Sequence, residues 1–496
     1  MKNKLVVVLC LSVLMLSGCG AITDLQKASL GLNLYTIDAT IDVQKHTITA
    51  HQNVKYKNDT GVKLNNICFH LYPNAFSQNA TTTKAVSANQ FEKCYYNGFS
   101  EGNININSVN YNNTECNYEV AGADNDILVL NLPTPLDNNL SGVIDIDFVV
   151  LLPNANHRFG YGKNTINCGN FYPVLCIFED GEWNMQGYHS NGDPFYSEMA
   201  NYNVNITYPK GYTLVTTGEQ NISNCAQNQI LCTCKVACVR DFSFILSNKY
   251  EVVSAMVDDV KVNYYYYDDV NAQNHLKTAC DALNTFNNLI GKYPYNVLNV
   301  CKANFLQGGM EYPNLVFISD AVDVDSEYNN VIIHEIAHQW FYGIVGNNEA
   351  QYPWLDESLT EYVTALFYDK NLGYTITTKQ VLANALSSYL LFCDMYKEVY
   401  GNIDTSMNRP IYNYKTETEY VYMTYVKGVL MFDSVCELVG KNKMGKCIAQ
   451  YYKDNAFKIA TPKNLIQSFE RASGKKLTNF ITSWLDGSVV LEELSR

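Results

Sequence analysis

Between residues 35 and 57, apolar and polar side chains alternate through YTIDATIDVQKHTITAHQNVKYK. A period of two places every second side chain on one face, as in a strand half-buried against a core. The alternation returns at 127–132, 143–151, 203–208, 213–217 and 241–247, with Asn, Gly and Asp between the runs. Those residues favour turns, so the first half of the chain predicts an antiparallel β domain.

The period changes after YYYYDD at 264–269. Leu276, Cys280, Leu283, Phe286 and Ile290 recur at helical spacing, and Gly291 suits the end of that helix. Further helices are predicted over 327–343, 355–370, 378–392, 420–439, 443–455, 463–472 and 478–486, with a short β region over 297–318. Thr461 and Pro462 suit the cap and first turn of the helix at 463. The expected fold class is α+β with several domains. The expected segments are a signal peptide at 1–18, a tether at 19–30, a β domain at 31–260 and a mainly helical domain at 261–496.

The first residues follow another pattern. Lys2 and Lys4 precede a nearly continuous apolar run over 5–16, which ends in Leu16-Ser17-Gly18-Cys19. This resembles a bacterial lipobox and implies cleavage before Cys19 and lipidation of that cysteine. A plain secretory signal or an uncleaved anchor is the alternative, although the run is short for a membrane-spanning helix. The expected location is the outer face of a bacterial cell membrane, with the lipid as the membrane partner.

The net charge of −14 argues against nucleic acid as a partner. Sixteen cysteines, fourteen without Cys10 and Cys19, are scattered. Cys225, Cys232, Cys234 and Cys238 cluster without the paired spacing of a zinc ribbon, and read as buried thiols or a local disulfide.

The chemistry concentrates at HEIAH, 334–338. On a helix, His334 and His338 stand one above the other, at the separation two imidazoles need to grip one Zn²⁺. Glu335 lies beside them as candidate general base. Glu357, in WLDESLTEY, is the candidate third ligand and completes a His₂Glu set with one position open. Two such histidines in a chain with only 8 are unlikely to be chance.

Two more segments extend the pattern: QGGMEYPNLVFI at 307–318 and TYVKG at 424–428. With Gly308–Glu311, HEIAHQW at 334–340, Trp354–Glu357 and Tyr425-x-Lys427-Gly428 in this order, the chain resembles the aminopeptidase N family of zinc metallopeptidases. The resemblance runs over roughly 30 to 490 and includes GDPFYSE at 192–198. It implies a saddle-like β domain on a thermolysin-like catalytic domain, with one Zn²⁺ per chain held by His334, His338 and Glu357. It further implies Glu335 as base, Tyr425 as donor to the oxyanion, and Glu311 as partner of the substrate α-amine. Gly308, Gly309 and Met310 would belong to the peptide-binding stretch. The implied substrates are peptides with a free N-terminus.

The chain departs from the family at Tyr312 and Ser358, where Asn and Gly are usual, and both changes are expected to reshape the pocket for the first side chain. The long helical C-terminal domain of many relatives is expected to be absent. A second amine-binding acid is expected among Glu179, Asp180 and Glu182. Glu361, four residues past Glu357, either orients a metal ligand or is a surface helix glutamate, and the surface position is expected. Two rival functions stay open: a zinc endopeptidase on the same scaffold, and a peptide-binding lipoprotein without turnover.

Overall fold

The computed structural model describes residues 23–226, 228–489 and 491. The signal peptide and Cys19 lie outside the described residues.

Alternation becomes burial in the first domain. Along Ser141–Leu151 every second residue is buried, and Ile144, Ile146, Phe148 and Val150 all reach zero exposure. This strand is one of eight in a sheet that runs, in order, through Gln220–Asn224, Gln229–Val239, Ala200–Pro209, Asn33–Asp42, Thr47–Lys57, Ser141–Leu151, Asn103–Tyr111 and Thr114–Glu115. The sheet is mixed, not purely antiparallel as expected, because Asn33–Asp42 lies parallel to Ala200–Pro209. Those two strands are far apart in sequence, so no hairpin signal marks their pairing. Two four-stranded sheets and a two-stranded hairpin, Phe178–Glu179 with Glu182–Trp183, complete the domain.

The second domain opens earlier than the sequence suggested. Glu251–Val257 and Val260–Tyr266 belong to its five-stranded sheet, which continues through Val297–Ala303, Leu315–Ser319 and Gly309–Met310. The boundary thus falls near 250, where the alternating pattern does not change as the chain passes from one sheet to the next. Gly309–Met310 forms the free edge of this sheet, paired on one side only with Leu315–Ser319. Helices follow at Ala272–Leu289, Asp325–Ala337, Trp354–Lys370, Thr378–Tyr400, Lys427–Val439, Lys441–Asn455, Pro462–Ser473 and Thr478–Leu485. The helix at Pro462–Ser473 is capped by Thr461 as predicted. The helix expected over 327–343 ends sooner, at Ala337, where the chain turns so that Tyr342 and Val345 bond to each other.

No helix among the described residues is long and apolar enough to cross a membrane. The fourteen described cysteines are free thiols, with Cys232, Cys234 and Cys238 buried. Cys232, Cys234 and Cys238 belong to one strand, Gln229–Val239, and no local disulfide links them among the described residues.

One buried arginine fastens the domains together. Arg240, from the β domain, donates to its neighbour Ser197 O at 2.7 Å, and across the junction to Tyr342 O at 3.0 Å and Lys458 O at 3.3 Å. Gly346 leaves room for its guanidinium, which a Cβ there would strike. Truncating Arg240 leaves the carbonyls of Ser197 and Tyr342 without this donor in a buried junction. Arg240→Ala is therefore expected to lower unfolding stability by about 3–5 kcal/mol, read as a lower urea midpoint. A change below about 1 kcal/mol would mean that the junction is held elsewhere.

Candidate active site

The helix Asp325–Ala337 presents His334, and His338 follows at its cap. Their Nε2 atoms lie 3.0 Å apart. Glu357, in the first turn of Trp354–Lys370, brings Oε2 to 3.3 Å from His334 Nε2 and 3.1 Å from His338 Nε2. All three residues are buried, and their ligand atoms converge within 4.8 Å of one another. The far nitrogens are engaged: His334 Nδ1 lies 3.0 Å from Glu361 Oε2, and His338 Nδ1 lies 2.9 Å from Phe341 O. Such outer partners orient both rings and leave Nε2 as the ligating atom on each. Two imidazole nitrogens and one carboxylate oxygen are a zinc donor set, and their convergence in a buried place fits one cation.

Glu361 is thus not the surface residue expected. It stands one helical turn beyond Glu357 and orients His334, which is the alternative that this spacing offered. Burial resists charge on His334, but hydrogen bonding with Glu357 and Glu361 outweighs it and lifts the pKa to about 9.

Glu335 is buried, and its Oε2 has no hydrogen-bond partner among the described residues. Burial pushes its carboxyl up to about 7, against the pull of His334 and His338. Gly309 faces it so closely that a Cβ there would collide with the carboxylate. This contact explains why a glycine is needed at that position of the edge strand.

Tyr425 sits in a π-helical turn, Tyr422–Val426, a local widening often found at functional sites. Its hydroxyl donates to Glu357 Oε1, and its ring lies 5.9 Å from that of His334. Two ties fix this turn. Ser358 Oγ donates to Thr424 O at 2.6 Å, and Gly428 packs against Ser358 where a Cβ would not fit. Lys427 Nζ donates to Thr405 O at 2.6 Å and Trp484 O at 3.1 Å. The lysine and glycine of Tyr-x-Lys-Gly are therefore structural, and only the tyrosine faces the cavity.

Glu311 is buried and its Oε1 has no partner among the described residues. Burial, reinforced by the carboxylate of Asp193, holds its carboxyl well above the ordinary range. Gln339, directly after HEIAH, locks this stretch in place: its Nε2 donates to Glu311 O at 3.1 Å, and its Oε1 accepts from Asn314 N at 2.8 Å. The sequence reading passed over Gln339.

Glu311, Gly308, Gly309, His334, Glu335, His338, Glu357 and Tyr425 line one cavity of about 400 Å³. Met310 does not join them. Its side chain alternates to the other face of the edge strand and is fully buried in the core. Tyr312 also points away, with its ring against Phe317 and its hydroxyl reaching Gly169. Since Ser358 is tied to Thr424, neither departure from the family pattern lines the cavity.

The β domain supplies the remaining wall, though not with the acids expected. Glu179 is used locally, accepting from Asn184 Nδ2 at 2.8 Å and Tyr196 OH at 2.9 Å, and Asp180 and Glu182 share its hairpin turn. Asp193 lines the cavity instead, paired with Arg158. Its place in GDPFYSE was the available signal.

A β domain covering a helical domain with a buried His₂Glu donor set defines a two-domain scaffold of the zinc metallopeptidase class. Residues 274–484 match the peptidase family M1 domain. In that stretch the chain is similar to aminopeptidases. It is 24% identical over 185 residues to membrane alanyl aminopeptidase of Manduca sexta, a match covering 35% of this chain and 18% of that protein. It is 26% identical over 180 residues to leucine aminopeptidase 2-1 of Meyerozyma guilliermondii, covering 34% of this chain and 28% of that protein. The matched stretch thus spans less than a third of either relative. An M1 zinc metallopeptidase of Deinococcus radiodurans superposes with a TM-score of 0.66 at 14% identity, covering 93% of this chain and 94% of that one. At that identity the likeness speaks for the fold, which includes both domains.

The raised pKa of His334 sets a pH dependence for metal uptake. In metal-free protein the imidazole holds a proton below pH about 9, whereas zinc takes the neutral ring. Zinc binding at pH 7 is therefore expected to release protons, and apparent affinity to rise with pH until about 9. Calorimetry in two buffers of different ionisation enthalpy measures the release. Buffer-independent heats would mean that both histidines are already neutral.

Proposed function

We propose that the protein is a zinc-dependent aminopeptidase that removes the first residue from peptides with a free N-terminus. The observation that carries this reading is Glu311, a buried carboxylate with an unpartnered oxygen in the same cavity as the His₂Glu set. A buried anion without a partner is costly, and an arriving ammonium relieves that cost. His334, His338 and Glu357 would hold the zinc. When bound, zinc supplies a Lewis acid toward water and the scissile carbonyl.

The side chains provide the rest. Glu311 fixes the ammonium, so the bond presented for cleavage is the one following the first residue. The free edge of Gly309–Met310 offers backbone groups to an extended peptide, as an added strand would use them. Glu335 accepts the proton of the attacking water and delivers it to the leaving amine. Tyr425 transfers its hydroxyl hydrogen bond from Glu357 to the oxyanion as charge develops there, a contribution of roughly 2.7–4 kcal/mol in comparable sites.

The test compares one peptide with a free and an acetylated N-terminus, with Glu335→Gln as control. Cleavage of the free peptide alone, one residue at a time and lost in the control, is the expected result. Equal cleavage of both would make the protein an endopeptidase. Binding of both with cleavage of neither would make it a peptide-binding protein.

We further propose that the protein is a lipoprotein anchored through Cys19 at the outer face of a bacterial membrane. The charged start, apolar run and Leu16–Cys19 pattern support this. Cys19→Ser is expected to move the protein from the membrane to the soluble fraction of the producing cells. Unchanged fractionation would argue for an anchor of another kind.

A further inference from the structure

Six carboxylates line the catalytic cavity: Asp193, Glu311, Glu335, Glu357, Glu361 and Glu417. Five already have a partner or a task. Asp193 pairs with Arg158, Glu361 meets His334, Glu357 belongs to the donor set, and Glu335 and Glu311 serve water and amine. Glu417 is left over. Its Oε1 accepts from the neutral amide of Gln90, Nε2 at 2.5 Å, and no ion pair holds it among the described residues.

Gln90 comes from the β domain, and its Oε1 accepts in turn from Gln307 Nε2 at 3.1 Å. Gln307 stands two residues before Gly309 on the peptide-binding side. Glu417 stands one helical turn before Tyr420, whose ring packs edge-on against Tyr425 at 5.9 Å. The chain Gln307–Gln90–Glu417 thus crosses the cavity from the edge strand to the segment carrying Tyr425. Gln307 Oε1 is buried and has no partner. This wall therefore presents a half-buried carboxylate and an unused amide acceptor.

Substrate geometry says what this wall meets. The first Cα carries the amine, the scissile carbonyl and the first side chain. With the amine at Glu311 and the carbonyl between the donor set and Tyr425, the side chain must leave toward the wall with no other task. We propose that Glu417, together with Gln90 and Gln307, reads the first side chain of the substrate and selects a long cationic one, arginine foremost. A guanidinium has donors enough for both Glu417 and Gln307 Oε1 and gains charge-assisted bonds. An aliphatic side chain would leave Gln307 Oε1 unpaired and the charge of Glu417 without a counter-ion.

This inference rests on the aminopeptidase reading. It is tested with zinc-loaded full-length mature protein and aminoacyl coumarin amides of Arg, Lys, Leu, Ala and Glu. The expected kcat/KM for Arg exceeds that for Leu by about tenfold or more, the scale of one charge-assisted bond. Glu417→Gln should reduce the Arg/Leu ratio about tenfold, chiefly through KM for Arg. Glu417→Lys should turn the preference toward Glu, which a merely structural role for Glu417 would not do. Calorimetric binding of free L-arginine against L-leucine reads the same preference without turnover. Leu equal to or better than Arg in the unmodified protein, or an Arg/Leu ratio untouched by Glu417→Gln, overturns the inference while leaving an aminopeptidase. Cleavage of acetylated substrates at rates equal to free ones overturns the aminopeptidase reading itself.

Discussion

The site depends on holding two imidazoles and a carboxylate with their ligand atoms about 3 Å apart inside the protein. Such a group is unfavourable unless each ring is oriented from behind and a cation completes it. Much of the second domain serves that requirement. The helix Asp325–Ala337 sets the spacing of the histidines, and Trp354–Lys370 carries both Glu357 and the residue that orients His334. The turn after Ala337 brings the Phe341 carbonyl back to His338. Gln339 then couples the same turn to the stretch bearing Glu311, so the donor set and Glu311 are parts of one assembly.

The β domain is a working wall of the cavity. Arg240 clamps it to the catalytic domain through backbone carbonyls, a junction that does not depend on the conformation of any surface side chain. From that fixed position it contributes Asp193, Arg158 and Gln90. Gly309 of the edge strand lines the same cavity, which is therefore bounded by both domains.

The parts of this arrangement legible in the sequence share one property: they are encoded by spacing along a single element. HEIAH declares its geometry because a helix repeats every 3.6 residues, and alternating strands declare their buried face for a similar reason. The helices came out close to expectation on the same grounds. The parallel pairing of Asn33–Asp42 with Ala200–Pro209 left no comparable trace, since long-range pairing has no local period. The Gln90–Glu417 contact joins segments far apart in sequence and was likewise invisible. Glu361 and Gln339 were on the page beside the motif, but their polar side chains read equally well as exposed positions. Met310 shows the reverse error, since a neighbour of catalytic residues in a strand faces the opposite way.

The buried ammonium of Lys427 gives the site a temporal order. It lies two residues past Tyr425, and one of its acceptors is the carbonyl of Trp484. Translation delivers that carbonyl 59 residues after the tyrosine. Until it arrives, Lys427 lacks one of its two carbonyl acceptors and the turn carrying Tyr425 lacks one of its ties. The turn carrying Tyr425 is therefore fully fastened only when the helix Thr478–Leu485 is in place.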